Sequence, residues 1–375
     1  MPTLFLYESE LGIMSIILMF IWYNSYFWKP NMKAKYHKYI LDFKRPSGTS
    51  RGVMNTKETW FVLLENQDKR GIGECGILRG LSIDDRPDYK EKLNWTCENI
   101  NLGLEELCSE LKEFPSIQFG LETAFKSLES SDQFEIFPSA FTKGLDNIPI
   151  NGLVWMGSED FMRDQIKEKI KAGFDCIKLK IGSIDFQREL EILKSIRKEF
   201  SVSDIELRVD ANGAFSSEDA LEKLKRLSDY QLHSIEQPIK PKQFEAMARL
   251  CEMTPLPIAL DEELIGVFAY EEKRKLLETI NPQYIILKPS LVGGFSGSQE
   301  WIDLVEDLNI KWWVTSALES NIGLNAIAQW TYTLKNIMPQ GLGTGSLFAN
   351  NFPSPLMVKK GTLHYDLTQE WKFNL

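Results

Sequence analysis

The sequence has little histidine and little cysteine, and neither residue forms a cluster. The histidines His37, His233 and His364 lie far apart, and none of the five cysteines belongs to a C-x-x-C pair. A cysteine–histidine metal site, a histidine-dependent catalytic triad and a disulfide framework are therefore not predicted. The cysteines are interpreted as reduced structural thiols, which is typical of cytoplasmic proteins.

The chain also lacks an excess of positive charge. Its formal net charge is −10, with 43% hydrophobic and 26% charged residues. This balance is ordinary for a globular protein and argues against a surface that reads nucleic-acid phosphates. We therefore expect no nucleic-acid partner.

One long uncharged segment is present near the start, over residues 11–28 (LGIMSIILMFIWYNSYFW). It is just long enough to cross a bilayer, and the lysines that follow would hold the downstream chain on the cytoplasmic side. The alternative is that residues 1–31 are a translated extension upstream of Met32. In both cases the folded part is expected in the cytoplasm, with membrane contact only if residues 11–28 are an anchor.

Residues 32–146 show a mixed pattern. The segments AKYHKYILDF and ETWFVLLEN are predicted strands, and the polar KRPSGTSRG between them is predicted to be a flexible connection. Helical spacing follows near residues 88–113 and 117–130. Strands followed by helices predict an α+β domain.

Residues 147–345 show a regular alternation of short apolar runs and helical segments. The predicted strands are INGLVWM, CIKLKIG, IELRVDA, HSIEQPI, IALDEEL, YIILKPS, KWWVTSA and GLGTG. About eight repeats of strand and helix are typical of a parallel (β/α) barrel. Residues 346–375 are predicted to return to the first domain.

Polar side chains stand at the ends of successive predicted strands, 25 to 30 residues apart from Lys180 onward. In strand order they are Lys178 with Lys180, then Asp210, Glu236, Asp261, Lys288 and Ser316. Residues at these ends gather at the C-terminal mouth of a barrel. The sequence therefore predicts one site to which all of these strands contribute.

The three carboxylates on adjacent strands, Asp210, Glu236 and Asp261, form an oxygen-ligand set for a hard divalent cation. Mg²⁺ fits this set best, and Mn²⁺ could substitute for it. Asn212 is expected near the metal as a group that supports it or binds its water.

The lysine pair suggests proton transfer. A nearby cation and the like-charged neighbour Lys178 favour loss of the Lys180 proton, which would make Lys180 a general base. Its natural partner is a small carboxylate substrate whose α-proton is removed to give an enediolate. Lys288 is expected to face the same pocket, either as a second acid–base group or as a cation beside the intermediate.

This pattern resembles the enolase superfamily, in its muconate-lactonizing-enzyme-like branch. Within the branch, residues 32–375 are most similar to the o-succinylbenzoate synthases. The segments that carry this finer resemblance are KRPSGTSRG, GECGILRGLSIDD, KLKIG, RVDANGAF, IEQPI, LDEEL, LKPSLVGG and SALESNIGLNAIAQW.

The resemblance implies a (β/α)7β barrel under an α+β capping domain built from the N-terminal segment and the C-terminal tail. It implies dehydration of a β-hydroxy acid in menaquinone biosynthesis, with Lys180 as base and then acid. Lys178 and Lys288 would support the intermediate. The residues implied to contact the substrate or close the pocket are Gly293, Gly294, Ser316, Thr49, Ser50, Arg51 and the loop 78–81.

Two alternatives remain open. Racemases and epimerases of the same branch keep these lysines and carboxylates, and Lys180 with Lys288 would supply the two bases that they need. A non-catalytic, membrane-tethered binding module is the alternative from another class, and it rests only on residues 11–28. The sequence does not indicate an oligomeric state.

Overall fold

The computed structural model describes residues 32–49 and 52–375. The predicted hydrophobic extension, residues 1–31, lies outside these ranges. Within them, no helix combines the length and the apolar character that crossing a bilayer requires.

The first domain is built on a three-stranded antiparallel sheet with the strand order β1-β2-β3. Its strands are β1 (Lys33–Thr49), β2 (Gly52–Asn66) and β3 (Lys69–Cys75). The flexible connection predicted over residues 44–52 is wrong in part, because Ser47 pairs with Met54 and Gly48 with Val53 after an irregular step. The hairpin stays extended where it meets the barrel, since Gly48 also bridges Met156.

Three α-helices pack on this sheet. They are α1 (Tyr89–Glu98), α2 (Leu104–Glu110) and α3 (Pro115–Glu129), with a 3₁₀ turn over Ile100–Leu102. The helical stretch predicted over residues 88–113 is thus interrupted, and Gly103 at φ 90° provides a conformation that glycine adopts at little cost. Helix α3 begins at a proline, which favours the first turn.

The second domain is a parallel barrel. Its sheet has the order β11-β10-β9-β8-β7-β6-β5. The strands are β5 (Gly152–Val154), β6 (Cys176–Lys180), β7 (Glu206–Asp210), β8 (Ser234–Glu236), β9 (Ile258–Leu260), β10 (Tyr284–Leu287) and β11 (Lys311–Val314). These are the first seven predicted strand segments. They read as short apolar runs because helices cover their outer faces.

Residues 340–341 close the barrel. Gln340 bridges Ile150 beside β5, and Gly341 bridges Thr315 beside β11, both in parallel. The Asn151 N–H donates to the Gln340 carbonyl at 2.9 Å, and the Gly341 N–H donates to the Val314 carbonyl at 2.8 Å. The short final segment therefore completes the (β/α)7β barrel that was predicted.

Helices follow the barrel strands. They are α4 (Glu159–Lys171), α5 (Phe186–Glu199), α6 (Ala220–Ser228), α7 (Phe244–Met253), α8 (Tyr270–Ile280), α9 (Pro289–Val292), α10 (Gly294–Asp307) and α11 (Asn321–Thr333), with 3₁₀ turns at Glu262–Leu264 and Gly345–Leu347. Side-chain caps at Ser158, Asp185 and Ser320 fix three of the helix starts.

The C-terminal tail touches both domains. Strands β12 (Leu356–Lys359) and β13 (Thr362–Tyr365) form a sheet with β4 (Ile148–Pro149), which precedes the barrel. Beyond this hairpin, the ring of Phe373 packs at 5.5 Å from that of Phe61 on β2. Strand β4 and the tail contact both domains, so the structure does not mark one sharp boundary between them. The predicted domain boundaries at residues 146 and 345 therefore stay predictions.

An apolar cluster lies between the first domain and the mouth of the barrel. It contains Leu41, Leu78, Trp155, Leu318 and Phe348. Separate cores fill the barrel shell and the first domain. The α+β domain therefore covers the C-terminal ends of the barrel strands and acts as a cap.

Candidate active site

The parallel register brings the predicted polar residues to one edge of the sheet. Lys180 of β6 lies opposite Asp210 of β7, and Asp210 lies opposite Glu236 of β8. Asp261 and Lys288 come directly after β9 and β10. Because alternate residues of a strand share a face, Lys178 points to the same side as Lys180.

The six side chains form one connected network. The ammonium group of Lys178 lies 2.7 Å from Glu236 Oε2 and 3.2 Å from Asp210 Oδ2. Lys180 Nζ donates to Asp210 Oδ2 at 2.5 Å. Lys288 Nζ bonds Asp261 Oδ2 and lies 4.0 Å from Glu236 Oε1. All six side chains are buried, and we call this set the mouth cluster.

Electrostatics separate the three carboxyl groups. For Asp210, burial raises the pKa, but the ammonium groups of Lys180 and Lys178 outweigh it and hold the pKa below the ordinary range. For Asp261, burial is likewise outweighed by Lys288. For Glu236, burial and then the negative charge of Asp210 raise the pKa well above its ordinary value. Burial therefore opposes the charged form of Glu236, and a further cation nearby would favour that form.

The same carboxylates fit a divalent cation chemically. Among the residues that the structure describes, no three His, Cys, Asp or Glu side chains form a ready ligand set. Ammonium groups of Lys178 and Lys288 instead lie between the carboxylates. Glu236 Oε1 is buried without a hydrogen-bond partner in the described structure. Three buried carboxylates, one of them with an oxygen that accepts no hydrogen bond among the described atoms, match the oxygen donors that Mg²⁺ prefers.

A cavity of about 570 Å³ opens above the network, between the barrel mouth and the cap. Lys178, Lys180 and Lys288 line it, whereas the three carboxylates lie behind these lysines. The other polar lining residues include Asn151, Asn212, Thr315, Ser316 and Thr344. Apolar walls come from Leu78, Leu81, Leu153, Trp155 and Leu318. The cavity can hold a small ligand whose anionic end faces the lysines.

The family described as enolase C-terminal domain-like matches residues 161–368, which is more than half of the chain. The chain belongs to the enolase superfamily. The match spans most of the barrel and the tail, including every member of the mouth cluster.

Relatives in this superfamily include enzymes of two kinds. An o-succinylbenzoate synthase from Desulfotalea psychrophila is 46% identical over 363 residues, which cover 88% of this chain and 98% of that protein. The crystal structure of MenC from the same organism has a TM-score of 0.79 and 43% identity, covering 89% of this chain and 99% of that one. An L-amino acid-D/L-Glu epimerase from Sulfurimonas denitrificans is 26% identical over 314 residues, covering 80% and 88%.

Two residues predicted to contact the substrate, Gly293 and Gly294, pack against the cap. They are not among the residues that line the cavity, and they face Gln118 and Glu122 of the cap helix α3. A Cβ atom on Gly294 would overlap the carboxylate of Glu122, which accepts hydrogen bonds from the N–H groups of Phe295 and Ser296. In this structure the two glycines give the cap access to the start of α10, and their approach to the substrate stays a prediction.

The cap loops have a mixed outcome. Residues 78–81 line the cavity as expected, and Ser316 lines it on the barrel side, where its hydroxyl lies 2.6 Å from that of Thr344. Ser50 and Arg51 lie outside the described residues, and so does the side chain of Thr49. Their substrate contacts stay predictions.

Asn212, which was predicted near the metal, accepts from Lys180 Nζ at 2.9 Å and donates to Glu262 Oε1 at 2.9 Å. Glu262 and Gln237 are groups that the sequence analysis did not indicate. The side-chain carbonyl of Gln237 accepts from the Asp261 and Glu263 N–H groups, each at 3.2 Å, and so fixes the turn that carries Asp261. The run Asp261–Glu262–Glu263 could have indicated Glu262 as a further site residue, because it places three acids at the end of one strand.

Proposed function

We propose that this chain is an o-succinylbenzoate synthase, a hydro-lyase of menaquinone biosynthesis that acts in the cytoplasm. It converts 2-succinyl-6-hydroxy-2,4-cyclohexadiene-1-carboxylate to 2-succinylbenzoate with loss of water. The observation that carries this proposal is the 46% identity to an o-succinylbenzoate synthase along nearly its whole length. The lysine-lined cavity supports it, since the substrate is a small carboxylate.

Lys180 is the proposed proton carrier. Its amine lines the cavity and is oriented from behind by Asp210 and Asn212. In the reaction it takes the proton from the carbon that bears the carboxylate, which breaks the C–H bond. It then returns a proton to the hydroxyl group that leaves the neighbouring carbon as water. A single amine can do both when the two bonds lie on one face, that is, in a syn elimination.

Lys178 and Lys288 are proposed to stabilise the negative charge that builds up on the substrate carboxylate. Both ammonium groups line the cavity and are paired with acids, Lys178 with Glu236 and Lys288 with Asp261. Fixed positive charge in a buried site needs little rearrangement when the enediolate forms. Ser316 is proposed to face the other end of the substrate.

Asp210, Glu236 and Asp261 are proposed to hold Mg²⁺, with Mn²⁺ as a substitute. When bound, the ion supplies positive charge that polarises the substrate carboxylate and makes the neighbouring proton more acidic. Asn212 and Glu262 would support this side of the site, because they bond each other beside Lys180.

Epimerisation of an N-acyl amino acid or dipeptide is the second candidate. The observation that favours it is the position of Lys288, which lines the same cavity as Lys180 and could serve as a second base. The similarity to an epimerase is 26% identity, lower than the 46% to the synthase.

The test is a pair of assays on the purified chain with Mg²⁺. Loss of the near-ultraviolet absorbance of the cyclohexadiene acid is expected for the wild type. Lys180→Ala should lower kcat at least about 10³-fold, because it removes the amine that is proposed to carry the proton. Lys171→Ala, an exposed lysine on α4, should leave kcat unchanged.

Two results would contradict the proposal. No turnover of the cyclohexadiene acid, combined with deuterium exchange at the α-carbon of an N-acyl amino acid, would favour the epimerase. Retention of full synthase activity in Lys180→Ala with an intact circular dichroism spectrum would remove Lys180 from its proposed role.

A further inference from the structure

The cap and the barrel share a second group of buried charges. It consists of Lys57 on β2, Glu74 on β3 and Glu319 between β11 and α11, and we call it the seam cluster. Their exposed fractions are 3%, 0% and 0%. None of the three lines the cavity. The mechanism described above does not use them, yet buried charges are costly and need a reason.

Lys57 is an unusual buried lysine. In the part of the chain that the structure describes, its ammonium nitrogen has no hydrogen-bond partner. Burial lowers the pKa of Lys57, and the negative charges of Glu319 and Glu74 oppose that effect. Lys57 and Thr59 are alternate residues of β2 and share one face of the strand, and the Thr59 hydroxyl donates to Glu74 at 2.8 Å. Lys57 therefore projects to the side of β2 on which Glu74 lies, where the two carboxylates balance its charge.

Glu319 connects Lys57 to the loops of the barrel mouth. Its Oε1 accepts from the Ser290 hydroxyl at 2.5 Å, and Ser290 lies two residues after Lys288. Glu319 directly follows Leu318, which lines the cavity and has φ 64°. That left-handed conformation is rare for leucine and persists only where the surroundings impose it. Glu319 is thus placed to hold the cavity wall at Leu318.

The cap approaches Glu319 closely just before its own cavity loop. A Cβ atom on Gly76 would lie 2.9 Å from Glu319 Cγ, so the backbone of the cap packs directly against this side chain. Residues 78–81, which line the cavity from the cap side, begin two positions later. The cavity wall from the barrel, at Leu318, and the wall from the cap, at residues 78–81, therefore both begin beside Glu319.

Glu74 fixes the other side of the seam cluster. It accepts from the Ser320 N–H at 2.9 Å, the Ser320 hydroxyl at 2.5 Å and the Gly323 N–H at 2.9 Å. These bonds attach a cap strand to the start of α11. Glu74 is held by four hydrogen bonds, with Thr59 as the fourth donor, whereas Glu319 Oε2 has no partner among the described atoms.

From these contacts we propose that Lys57 is a positioning residue for substrate binding. It balances the charge of Glu319 across the seam and so holds Leu318 and the loop 78–81 together as one wall of the cavity. That this positioning affects substrate binding rests on the proposed synthase function. The positioning itself is a property of the fold and can be measured without substrate.

The test compares Lys57→Met, Glu319→Gln and the double variant on the full chain. Lys57→Met keeps the side-chain length but leaves two buried carboxylates without their cation. We expect KM to rise about tenfold with kcat within about threefold of wild type, because the affected wall binds substrate but carries no proton. Glu319→Gln alone should change KM less than about threefold and, in the double variant, should restore most of the loss. Lys57→Arg keeps the positive charge and should leave KM close to the wild-type value.

Hydrogen–deuterium exchange without substrate separates this proposal from the proposed function. Lys57→Met should speed exchange in residues 76–82 and in residues 316–323, on both sides of the seam, and leave residues 177–182 unchanged. Lys35→Met, an exposed lysine on β1, is the matched control and should change neither segment. This result is informative even if the wild type does not turn over the cyclohexadiene acid.

Three outcomes would overturn the proposal. The first is additive effects of the two substitutions on KM. The second is an unchanged KM together with faster exchange only near residue 57, which would indicate local stability alone. The third is equal loss of kcat and kcat/KM. If Lys57→Met does not fold, the double variant and Lys57→Arg provide the same comparison.

Discussion

The mouth cluster and the seam cluster both bury lysines among carboxylates, but they are built differently. In the mouth cluster, each of the three ammonium groups contacts a carboxylate oxygen and also lines the cavity. In the seam cluster, the ammonium group of Lys57 lines no cavity and has no hydrogen-bond acceptor among the described atoms. Its partner Glu74 is fixed by backbone N–H groups instead.

This difference separates charges that can respond to a ligand from charges that fix geometry. A substrate carboxylate or a cation entering the cavity can exchange partners with lysines and acids that already contact each other at its floor. The acids of the seam are bound to the start of a helix and to a hydroxyl group, so they change little when a ligand binds. Chemistry is therefore expected at the mouth and alignment at the seam.

A glutamate-to-glutamine substitution in each cluster tests this distinction, and the change in the mouth cluster should have the larger effect. Glu236→Gln should lower kcat at least about 10²-fold, because it removes a charge that the cation needs. It should also abolish the rise in melting temperature that Mg²⁺ gives the wild type, since an ion that binds only the folded chain stabilises it. Calorimetry with and without Mg²⁺, and after chelation, measures this directly.

Glu319→Gln is the matched control in the seam cluster. It should keep the Mg²⁺-dependent rise in melting temperature and most of the activity. An equal loss of the Mg²⁺ effect in both variants would show that the two clusters are not functionally separate. A wild type whose melting temperature and activity ignore both Mg²⁺ and chelators would contradict the proposed metal site.

The second prediction concerns the stability that the seam provides. Glu74→Ala should lower the free energy of unfolding by about 3 kcal/mol, because it leaves buried N–H groups and Lys57 without their acceptor and counter-charge. Glu65→Ala removes an exposed acid of the same sheet and should cost less than about 0.5 kcal/mol. Denaturant unfolding measures both. Equal effects would mean that the seam bonds add little to stability.

Much of the barrel could be predicted from the sequence for a physical reason. Each of its strands is a short apolar run buried on both faces, and the polar residue that ends it interrupts that run. Parallel strands then bring residues such as Asp210 and Glu236 together without any knowledge of the loops. The prediction that these side chains converge agrees with the distances in the mouth cluster.

The seam and the cap contacts could not be predicted in this way. Lys57 and Glu319 come from distant segments whose approach depends on how two domains pack, and no sequence period encodes that packing. Gly293 and Gly294 look like a ligand-binding pair, but in the structure Gln118 and Glu122 of the cap occupy the space beside them. The KRPSGTSRG segment looks flexible because of its composition, yet pairing across the hairpin and contact with Met156 keep its residues 47–49 extended.

The third prediction concerns Asp84, a buried acid that pairs with no lysine among the described residues. Its titration therefore reports the effect of burial without that of an ion pair. Burial raises the pKa of Asp84 from 3.8 to about 6, although the Ser116 hydroxyl donates to it at 2.6 Å. At low pH the group is protonated in both the folded and the unfolded chain. As pH rises from 3.8 towards 6, the unfolded chain releases the proton first, so the wild type loses stability.

Compared with Asp84→Asn, the wild type should therefore lose about 2–3 kcal/mol of unfolding free energy between pH 4 and pH 7, with little further change above it. Parallel denaturant titrations of the two proteins across this range give the difference, which cancels the titration of all other groups. A flat difference would show that the Ser116 bonds offset burial completely. If the wild type instead becomes more stable than Asp84→Asn as pH rises, Asp84 is stabilised as an anion, like Asp210 and Asp261 of the mouth cluster. The expected contrast between buried acids with and without a lysine partner would then be wrong.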